Sequence, residues 1–250
     1  MKGINGQPYV DCEPFLDIKG LQDIELEIAT GIALSKMKSG IYGPGIVNSE
    51  KYGNYLSMKQ EIEQNPELIE KYRWNEMTQE QKRLFLKLYK KLYSPNNSVY
   101  LREATNVNSL KTYLEKWNPE LYPWNDNITH FPKLIKWLDS LTGTVFEKYG
   151  RVIFFIHEHD CELLVHRDGT AYRPHNNEFI WINPLGAKSF FVYDEDTGDK
   201  HHVPCRAAFF NDLDMHGGDP KPHMTWTLRV DGIFTEEFKK KLKIDQLSHY

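Results

Sequence analysis

Residues 161–168 read CELLVHRD, and residues 224–231 read MTWTLRVD. Each stretch is typical of a short β-strand. Because residues two apart on a strand point to the same side, His166 and Asp168 are predicted to face one cavity at the end of the first strand. A His-x-Asp pair arises easily by chance, so its meaning depends on what the rest of the chain brings to that cavity.

The second stretch predicts a strand on which Thr225, Thr227 and Arg229 share one face. An arginine on an otherwise buried strand needs an anion. Its guanidinium is a planar fork that matches a carboxylate. Arg229 is therefore a candidate carboxylate-binding residue, and Thr227 lies one step along the same face.

A third polar residue lies between these strands, in the segment 215–218, which reads MHGG. Its two glycines allow close approach of the backbone, and His216 supplies a second imidazole. Two imidazoles and one carboxylate are the ligand set of a non-haem iron(II) site with open coordination positions. His166, Asp168 and His216 are the predicted metal ligands; the alternative is a satisfied polar cluster at the sheet ends.

Apolar alternation between turn signals predicts eight short strands in the second half of the chain. Eight strands in two facing sheets are what a jelly-roll or cupin-like barrel requires. The predicted ligands and Arg229 fall on the second, seventh and eighth of them. The predicted strands span residues 151–156, 161–166, 178–183, 189–193, 201–204, 207–211, 215–217 and 225–231.

The His-x-Asp, distal His and following basic residue resemble the core of the 2-oxoglutarate- and Fe(II)-dependent oxygenases. Within that superfamily, residues 131–138 (FPKLIKWL) and 229–232 (RVDG) look most like the aspartyl/asparaginyl and proline hydroxylase branch. The resemblance covers roughly residues 130–235, although the turn at 219–222 lengthens the gap from His216 to Arg229. It implies an α+β protein: a double-stranded β-helix with an N-terminal helical extension packed on one sheet.

The resemblance implies a site in which His166, Asp168 and His216 bind Fe(II). 2-Oxoglutarate chelates the metal, Arg229 holds its far carboxylate, O₂ is the oxidant, and ascorbate is a candidate reductant. Thr227, one step along the strand face from Arg229, is a candidate to add a hydroxyl to the cosubstrate site. Further candidates for binding the cosubstrate follow from their positions on inner strands or in the loop after the ligands. They are Tyr193, Asn183 and Arg173. For the first two, a one-residue slip in register reverses which side chain points inward.

The implied activity is hydroxylation of an unactivated C–H bond by a 2-oxoglutarate-dependent dioxygenase. The expected substrate is an amino-acid residue (Asp, Asn or Pro) in a peptide or protein, or a free amino acid. Two alternatives stay open: a cupin-like metal-binding isomerase, and a non-catalytic binding module without 2-oxoglutarate. The sequence does not decide the oligomeric state.

The hydrophobic pattern of the sequence divides the chain into a helical region at 1–150, a catalytic core at 151–235 and a C-terminal tail or helix at 236–250. Helical spacing and capping signals predict four N-terminal helices. The glycine-rich segment 40–55 is predicted to be a loop that reaches the substrate. The predicted helices span residues 17–37, 78–92, 108–117 and 132–148.

Composition limits the remaining possibilities. A net charge of −4 and a pI near 6.2 give no electrostatic footprint for nucleic acid. The three cysteines are too few and too scattered for a disulfide scaffold. No apolar run approaches the length of a membrane span, so we expect a cytoplasmic protein in a reducing compartment.

Other histidines and aromatics have less specific interpretations. The cluster HEHD at 157–160 resembles a metal site, but structural or cavity-lining roles are favoured for His157 and His159. The pair at 201–202 is expected at the surface. Four aromatic residues are predicted to line an apolar cavity around the metal: Phe179, Trp181, Phe190 and Phe209.

Overall fold

The computed structural model describes residues 2–41, 63–64, 66–78, 81–82, 95–106, 110–157, 163–168 and 178–244. In these residues the chain forms two antiparallel sheets and several short helices. From edge to edge, the larger sheet contains β1 (Val10–Asp11), β9 (Ala207–Phe209), β6 (Glu178–Ile182), β11 (Thr225–Phe234), β4 (Phe146–His157), β3 (Pro95–Arg102) and β2 (Lys38–Ile41). The smaller sheet contains β5 (Leu163–His166), β10 (Met215–Asp219), β7 (Ser189–Tyr193) and β8 (Lys200–His202).

The eight strands β4 to β11 divide equally between the two sheets. β4, β6, β9 and β11 lie in the larger sheet, and β5, β7, β8 and β10 lie in the smaller one. Aromatic side chains close the space between them, as in the stacking of Trp181 of β6 on Phe190 of β7 at 4.7 Å between ring centroids. The chain thus crosses repeatedly from one sheet to the other around a shared interior.

The central strand β11 is buried on both faces, which explains its nearly unbroken run of buried residues. Its pairing with β4 places Thr225 opposite His157 and Arg229 opposite Ile153. Since side chains alternate along a strand, Thr225, Thr227 and Arg229 all face the interior between the sheets. This face carries the polar residues, whereas the opposite face is apolar.

Helices cover the outer face of the larger sheet. Phe131, just before the helix at Pro132–Ser140, stacks on Phe154 of β4 with ring centroids 5.5 Å apart. Gly31 allows a second helix to approach, because a Cβ there would lie 2.5 Å from the Phe131 ring. The helices are α1 (Ile18–Asp23), α2 (Glu25–Leu34), α3 (Pro66–Tyr72), α4 (Leu110–Leu114), α5 (Pro132–Ser140) and α6 (Glu236–Leu242).

The mixed class of helices and antiparallel sheets is confirmed, but the first half of the chain is not purely helical. It adds β1 to one edge of the larger sheet and β3, followed by β2, to the other. None of these three strands was predicted. β1 has only two residues, and β3 begins with Pro-Asn-Asn, residues that ordinarily signal a turn.

Two predicted helices need correction. The helix expected at 17–37 is two helices, α1 and α2, which meet at Ile24. The helix expected at 132–148 ends at Ser140, and β4 begins at Phe146. Between them Gly143 has φ +77°, a left-handed conformation that suits a turn and ends the helix.

Residue Thr235 caps the C-terminal helix α6, because its hydroxyl accepts a hydrogen bond from the Phe238 backbone N–H. Phe238 then packs edge-on against Phe234 of β11, which fixes α6 to the larger sheet. No helix in the described part of the chain is long and apolar enough to cross a membrane.

Some predictions fall partly or wholly outside the described residues. Of the loop expected at 40–55, only Gly40 and Ile41 are described, at the end of β2. Of the helix expected at 78–92, the capping box is described: Thr78 N–H donates to Gln81 Oε1 at 2.8 Å, and Gln81 N–H donates to Thr78 Oγ1 at 3.1 Å. This reciprocal pair is the predicted N-terminal signature.

Candidate metal centre

The three predicted ligands lie together at the end of the smaller sheet. His166 of β5 is directly opposite His216 of β10 in the antiparallel pairing, and Asp168 follows two residues after His166. Asp168 Oδ1 lies 3.5 Å from His166 Nε2 and 3.6 Å from His216 Nε2. One ligand atom from each residue falls within 4.8 Å of the others, so a single metal ion can contact all three.

Backbone contacts orient two of these ligands. His216 Nδ1 lies 2.9 Å from the carbonyl oxygen of Asp214. If Nδ1 carries the proton and donates it there, Nε2 presents its lone pair to the metal position. The Asp168 N–H donates to the carbonyl of Asp212 at 2.8 Å. The loop between β9 and β10 therefore orients His216 and Asp168, two of the three predicted ligands.

The Asp214 side chain in turn ties this loop to the first residues of the chain. Its carboxylate accepts hydrogen bonds from the backbone N–H groups of Lys2 at 2.9 Å and Gly3 at 2.6 Å. The loop is thus fixed from both sides.

The pKa of Asp168 lies well below its usual range. Burial opposes ionisation, but contacts with His166 and His216 and the charge of Arg229 outweigh it. Asp168 is consequently a carboxylate at neutral pH, the form that binds a metal.

Arg229 is 3% exposed and is surrounded by carboxylates of the chain itself. It donates to Asp168 Oδ2 at 2.7 Å, to Asp212 Oδ2 at 2.8 Å, and twice to Asp231 Oδ1, at 3.0 and 2.9 Å. Four of its five N–H groups are thereby used. The guanidinium has partners that the sequence pattern did not reveal, and only one N–H is left for an external anion.

Arg151 of β4 extends this network by donating to both oxygens of Asp231, at 2.8 and 3.3 Å. Burial opposes ionisation of Asp231, but the neighbouring charges of Arg151 and Arg229 lower its pKa to about 2. Arg151, Asp231, Arg229 and Asp168 therefore form a chain of alternating charges that ends at a predicted metal ligand.

A second buried cation, Lys188, has a different environment. Its Nζ contacts His157 Nε2. In the part of the chain that the structure describes, no carboxylate forms an ion pair with it. Burial lowers the pKa of the Lys188 amine well below its usual range. Burial, followed by the charge of Lys188, does the same to the pKa of His157.

Two further polar atoms at the interior have no hydrogen-bond partner among the described residues, His157 Nδ1 and Thr227 Oγ1. A buried polar group without a partner costs free energy, so such atoms commonly mark a ligand position. Lys188 reaches this region across Gly218, where a Cβ would lie 3.2 Å from Lys188 Cε. His157 and Thr227 share the inner face of β4 and β11, because His157 lies opposite Thr225, and Lys188 contacts His157. These three residues are here called the lysine pocket.

The other predicted cosubstrate residues have different locations. Asn183 donates to the Lys188 carbonyl at 3.0 Å and accepts from the Lys188 N–H at 3.4 Å, so it braces the lysine backbone. On β7, Phe190 and Val192 face the interior opposite Gly218 and His216. Tyr193 falls on the other face and points away from the ligands. Arg173 lies outside the described residues.

Aromatic rings surround the ligands. Phe190 and Phe210 lie 5.7 and 5.2 Å from the His216 ring, and Phe179 lies 3.7 Å below the Arg229 guanidinium. Phe209, predicted to line this cavity, packs instead edge-on between Phe179 and Phe234. The next residue, Phe210, contacts the His216 ring in the position predicted for Phe209.

Two other histidines lie where structural or surface roles would place them. His157 is buried and faces the interior, as a cavity-lining residue would. His202 has a half-exposed side chain on β8. His159 lies outside the described part of the chain.

No protein-family model matches the chain, and no curated protein matches it. Among solved structures, it is similar to a Pseudomonas putida prolyl-4-hydroxylase, with 12% identity, 56% of this chain and 71% of that chain covered, and a TM-score of 0.30. An oxidoreductase of the 2OG-Fe(II) oxygenase family from Burkholderia pseudomallei gives 12% identity, coverage of 62% and 78%, and a TM-score of 0.33. The viral collagen prolyl hydroxylase of Paramecium bursaria Chlorella virus-1, in complex with 2OG, gives 12% identity, coverage of 92% and 98%, and a TM-score of 0.35. At these TM-scores the likenesses assign no family, so the chemistry of the site is inferred from its side chains.

Proposed function

We propose that this protein is an Fe(II)- and 2-oxoglutarate-dependent dioxygenase that hydroxylates an unactivated C–H bond. The observation that carries the proposal is the convergence of His166, Asp168 and His216, whose ligand atoms lie within 4.8 Å of one another. The four-and-four division of β4 to β11 fits a double-stranded β-helix, with the ligands facing its interior.

The ligand set fits iron(II). Two imidazoles and one carboxylate on one side of a metal leave adjacent coordination positions open on the other, which suits a chelating cosubstrate and O₂. His216 is buried, and the aromatic rings of Phe190 and Phe210 lie against it. These rings exclude water from the neighbourhood of the metal, which protects a reactive site from side reactions.

The lysine pocket fits the far carboxylate of 2-oxoglutarate. Lys188 supplies a buried amine that no described carboxylate pairs with, and Thr227 Oγ1 and His157 Nδ1 are hydrogen-bonding atoms without partners among the described residues. Arg229, which the sequence pattern favours for this role, already bonds to three carboxylates. We therefore assign the carboxylate to Lys188 and Thr227, of which Thr227 was predicted for this role from its position on the strand.

The chemistry that the cosubstrate supplies when bound is its oxidative decarboxylation to succinate and CO₂, coupled to hydroxylation of the substrate. The chain's residues hold the reactants: the triad fixes the metal, Lys188 and Thr227 orient the cosubstrate, and Asn183 holds the Lys188 backbone. Rigid positioning of this kind is the main contribution that a protein makes to cofactor chemistry.

The proposed substrate is an amino-acid residue of the Asp, Asn or Pro type in a peptide or protein, or a free amino acid. The viral neighbour is a collagen prolyl hydroxylase. For this chain the choice rests on the sequence resemblance. A cupin-like isomerase or a binding module without 2-oxoglutarate would use the triad but leave the lysine pocket without a function.

An anaerobic titration of the metal-free protein tests the proposal. Fe(II) is added first and 2-oxoglutarate second, while the visible absorbance is followed. We expect a weak charge-transfer band only after the second addition, as an iron chelate of this cosubstrate gives. Iron binding without the band would favour the cupin-like isomerase or the binding module. Failure to bind iron would remove the metal centre itself.

A further inference from the structure

The two carboxylate oxygens of Asp168 have different neighbours. Oδ1 faces His166 Nε2 and His216 Nε2 at 3.5 and 3.6 Å. Oδ2 accepts a hydrogen bond of 2.7 Å from Arg229 Nη1. A carboxylate can bind a metal through one oxygen or through both. In this arrangement only Oδ1 is directed at the position that the two imidazoles share.

The Arg229 guanidinium has little freedom to release Oδ2. Asp231 accepts two of its hydrogen bonds and Asp212 accepts a third, while the ring of Phe179 lies 3.7 Å beneath it. Asp231 itself accepts two hydrogen bonds from Arg151 on the neighbouring strand. Since β4 and β11 are paired along most of their length, this chain of charges is anchored on two adjacent inner strands of the larger sheet.

We propose that Arg229 is a positioning residue that retains Asp168 Oδ2, so that Asp168 binds the metal through Oδ1 alone. The consequence is an extra open coordination position at the metal, which a carboxylate bound through both oxygens would occupy. This inference rests on the proposed metal centre, and it gives Arg229 a role distinct from binding the cosubstrate.

The charges explain why an arginine suits this position. Asp168, Asp212 and Asp231 converge on one guanidinium, whose planar fork can satisfy several carboxylates at once. A free carboxylate ligand arriving at Arg229 would add a fourth negative charge to this cluster. Lys188 has no such competitors among the described residues, so the two buried cations are suited to different tasks.

The test counts the water molecules bound to Mn(II), added alone as a spectroscopic probe, by pulsed EPR in ¹⁷O-enriched water. Three proteins are compared: the parent, Arg229→Met and Arg151→Met. Both variants remove a guanidinium from the same buried network, in which Arg229 donates to Asp168 and Arg151 donates to Asp231. Circular dichroism and thermal unfolding establish that each variant is folded.

We expect about three bound waters in the parent and in Arg151→Met, because three protein ligands leave about three positions on an octahedral ion. Arg229→Met is expected to lose one water as Asp168 Oδ2 joins the metal. An unchanged count in Arg229→Met, or a loss of one water in Arg151→Met as well, would overturn the proposal.

If Arg229→Met does not fold, Arg229→Lys provides the second test. Its amine keeps one donor near Asp168, so the parent count of about three waters is expected to persist. A count lower by one in the parent contradicts the inference while leaving the metal centre intact. Absence of Mn(II) binding to the parent would instead remove the metal centre, and with it the proposed function.

Discussion

Lys188 and His157 are 31 residues apart in the sequence, yet their side chains meet between the two sheets. Lys188 immediately precedes β7 of the smaller sheet, and His157 is the last residue of β4 in the larger sheet. In the described part of the chain the Lys188 amine has no carboxylate partner. His157 Nδ1 and Thr227 Oγ1, from the same group of residues, have no hydrogen-bond partner there either. This relationship leads to the first three predictions.

Replacing Lys188 with methionine is expected to weaken 2-oxoglutarate binding about 10- to 100-fold, the range for losing a hydrogen bond to a charged group. Fe(II) binding should stay within about twofold of the parent value, because Lys188 is not a metal ligand. Anaerobic calorimetry with each ligand measures both affinities. Lys200→Met, which removes an exposed ammonium, is the matched control. Equal loss of both ligands would assign Lys188 a structural role.

The same substitution should stabilise the protein when no cosubstrate is present. A buried polar group without adequate compensation costs about 1–3 kcal/mol, and methionine fills a similar volume without a charge. Lys188→Met is thus expected to raise the midpoint of thermal unfolding of the metal-free protein. A lowered midpoint would show that the amine has stabilising partners.

Stability should also depend on pH through Lys188. Its pKa in the folded protein lies well below the ordinary value of 10.5, so between these two values the unfolded chain binds more protons. The contribution of Lys188 to the free energy of unfolding therefore rises with pH across that window. Denaturant unfolding at several alkaline pH values measures the slope. The difference between parent and Lys188→Met isolates this lysine from His157 and other groups, and an identical slope would contradict the assignment.

Asp168→Ala is expected to abolish turnover and to leave protein that loses iron on desalting, because one of three metal ligands is gone. Metal analysis and succinate formation are the measurements. Asp199→Ala, which removes an exposed carboxylate elsewhere, should behave as the parent does. Full activity in Asp168→Ala would rule out the proposed triad.

Gly31→Ala tests the contact between α2 and the residue that precedes α5. Alanine favours a helix over glycine by about 1 kcal/mol, but its Cβ would lie 2.5 Å from the Phe131 ring. Overpacking of a core costs about 1–3 kcal/mol, so a net loss of stability is expected. Leu26→Ala on the same helix, at a side chain 81% exposed, should change stability little. Chemical denaturation compares the two, and a more stable Gly31→Ala would show that Phe131 can shift.

The triad could be predicted because its information is local. His166 and Asp168 share a strand face by simple alternation, and the chemistry of the ligand set then points to His216. The same alternation places Asp231 beside Arg229, a signal in the sequence that could have revealed the internal ion pair. The partner Asp212 carries no such signal, since it reaches Arg229 from a loop.

The lysine pocket could not be predicted in this way. Its members come from separate segments, the end of β4, the middle of β11 and the residue before β7, and the contact between Lys188 and His157 is made only in the folded chain. A lysine next to a strand ordinarily indicates a solvated edge. The strands β1 to β3 were not predicted for a related reason. They are strands because they pair with segments remote in sequence, and their local strand propensity is weak.

The hydrogen bonds from Lys2 and Gly3 to Asp214 have a consequence for the order of folding. During synthesis these first residues emerge long before the segment that orients His216, and β1 must likewise wait for β9. Contacts between such distant segments have a high contact order, which slows folding. The proposed metal site can therefore form only after most of the described chain has been synthesised.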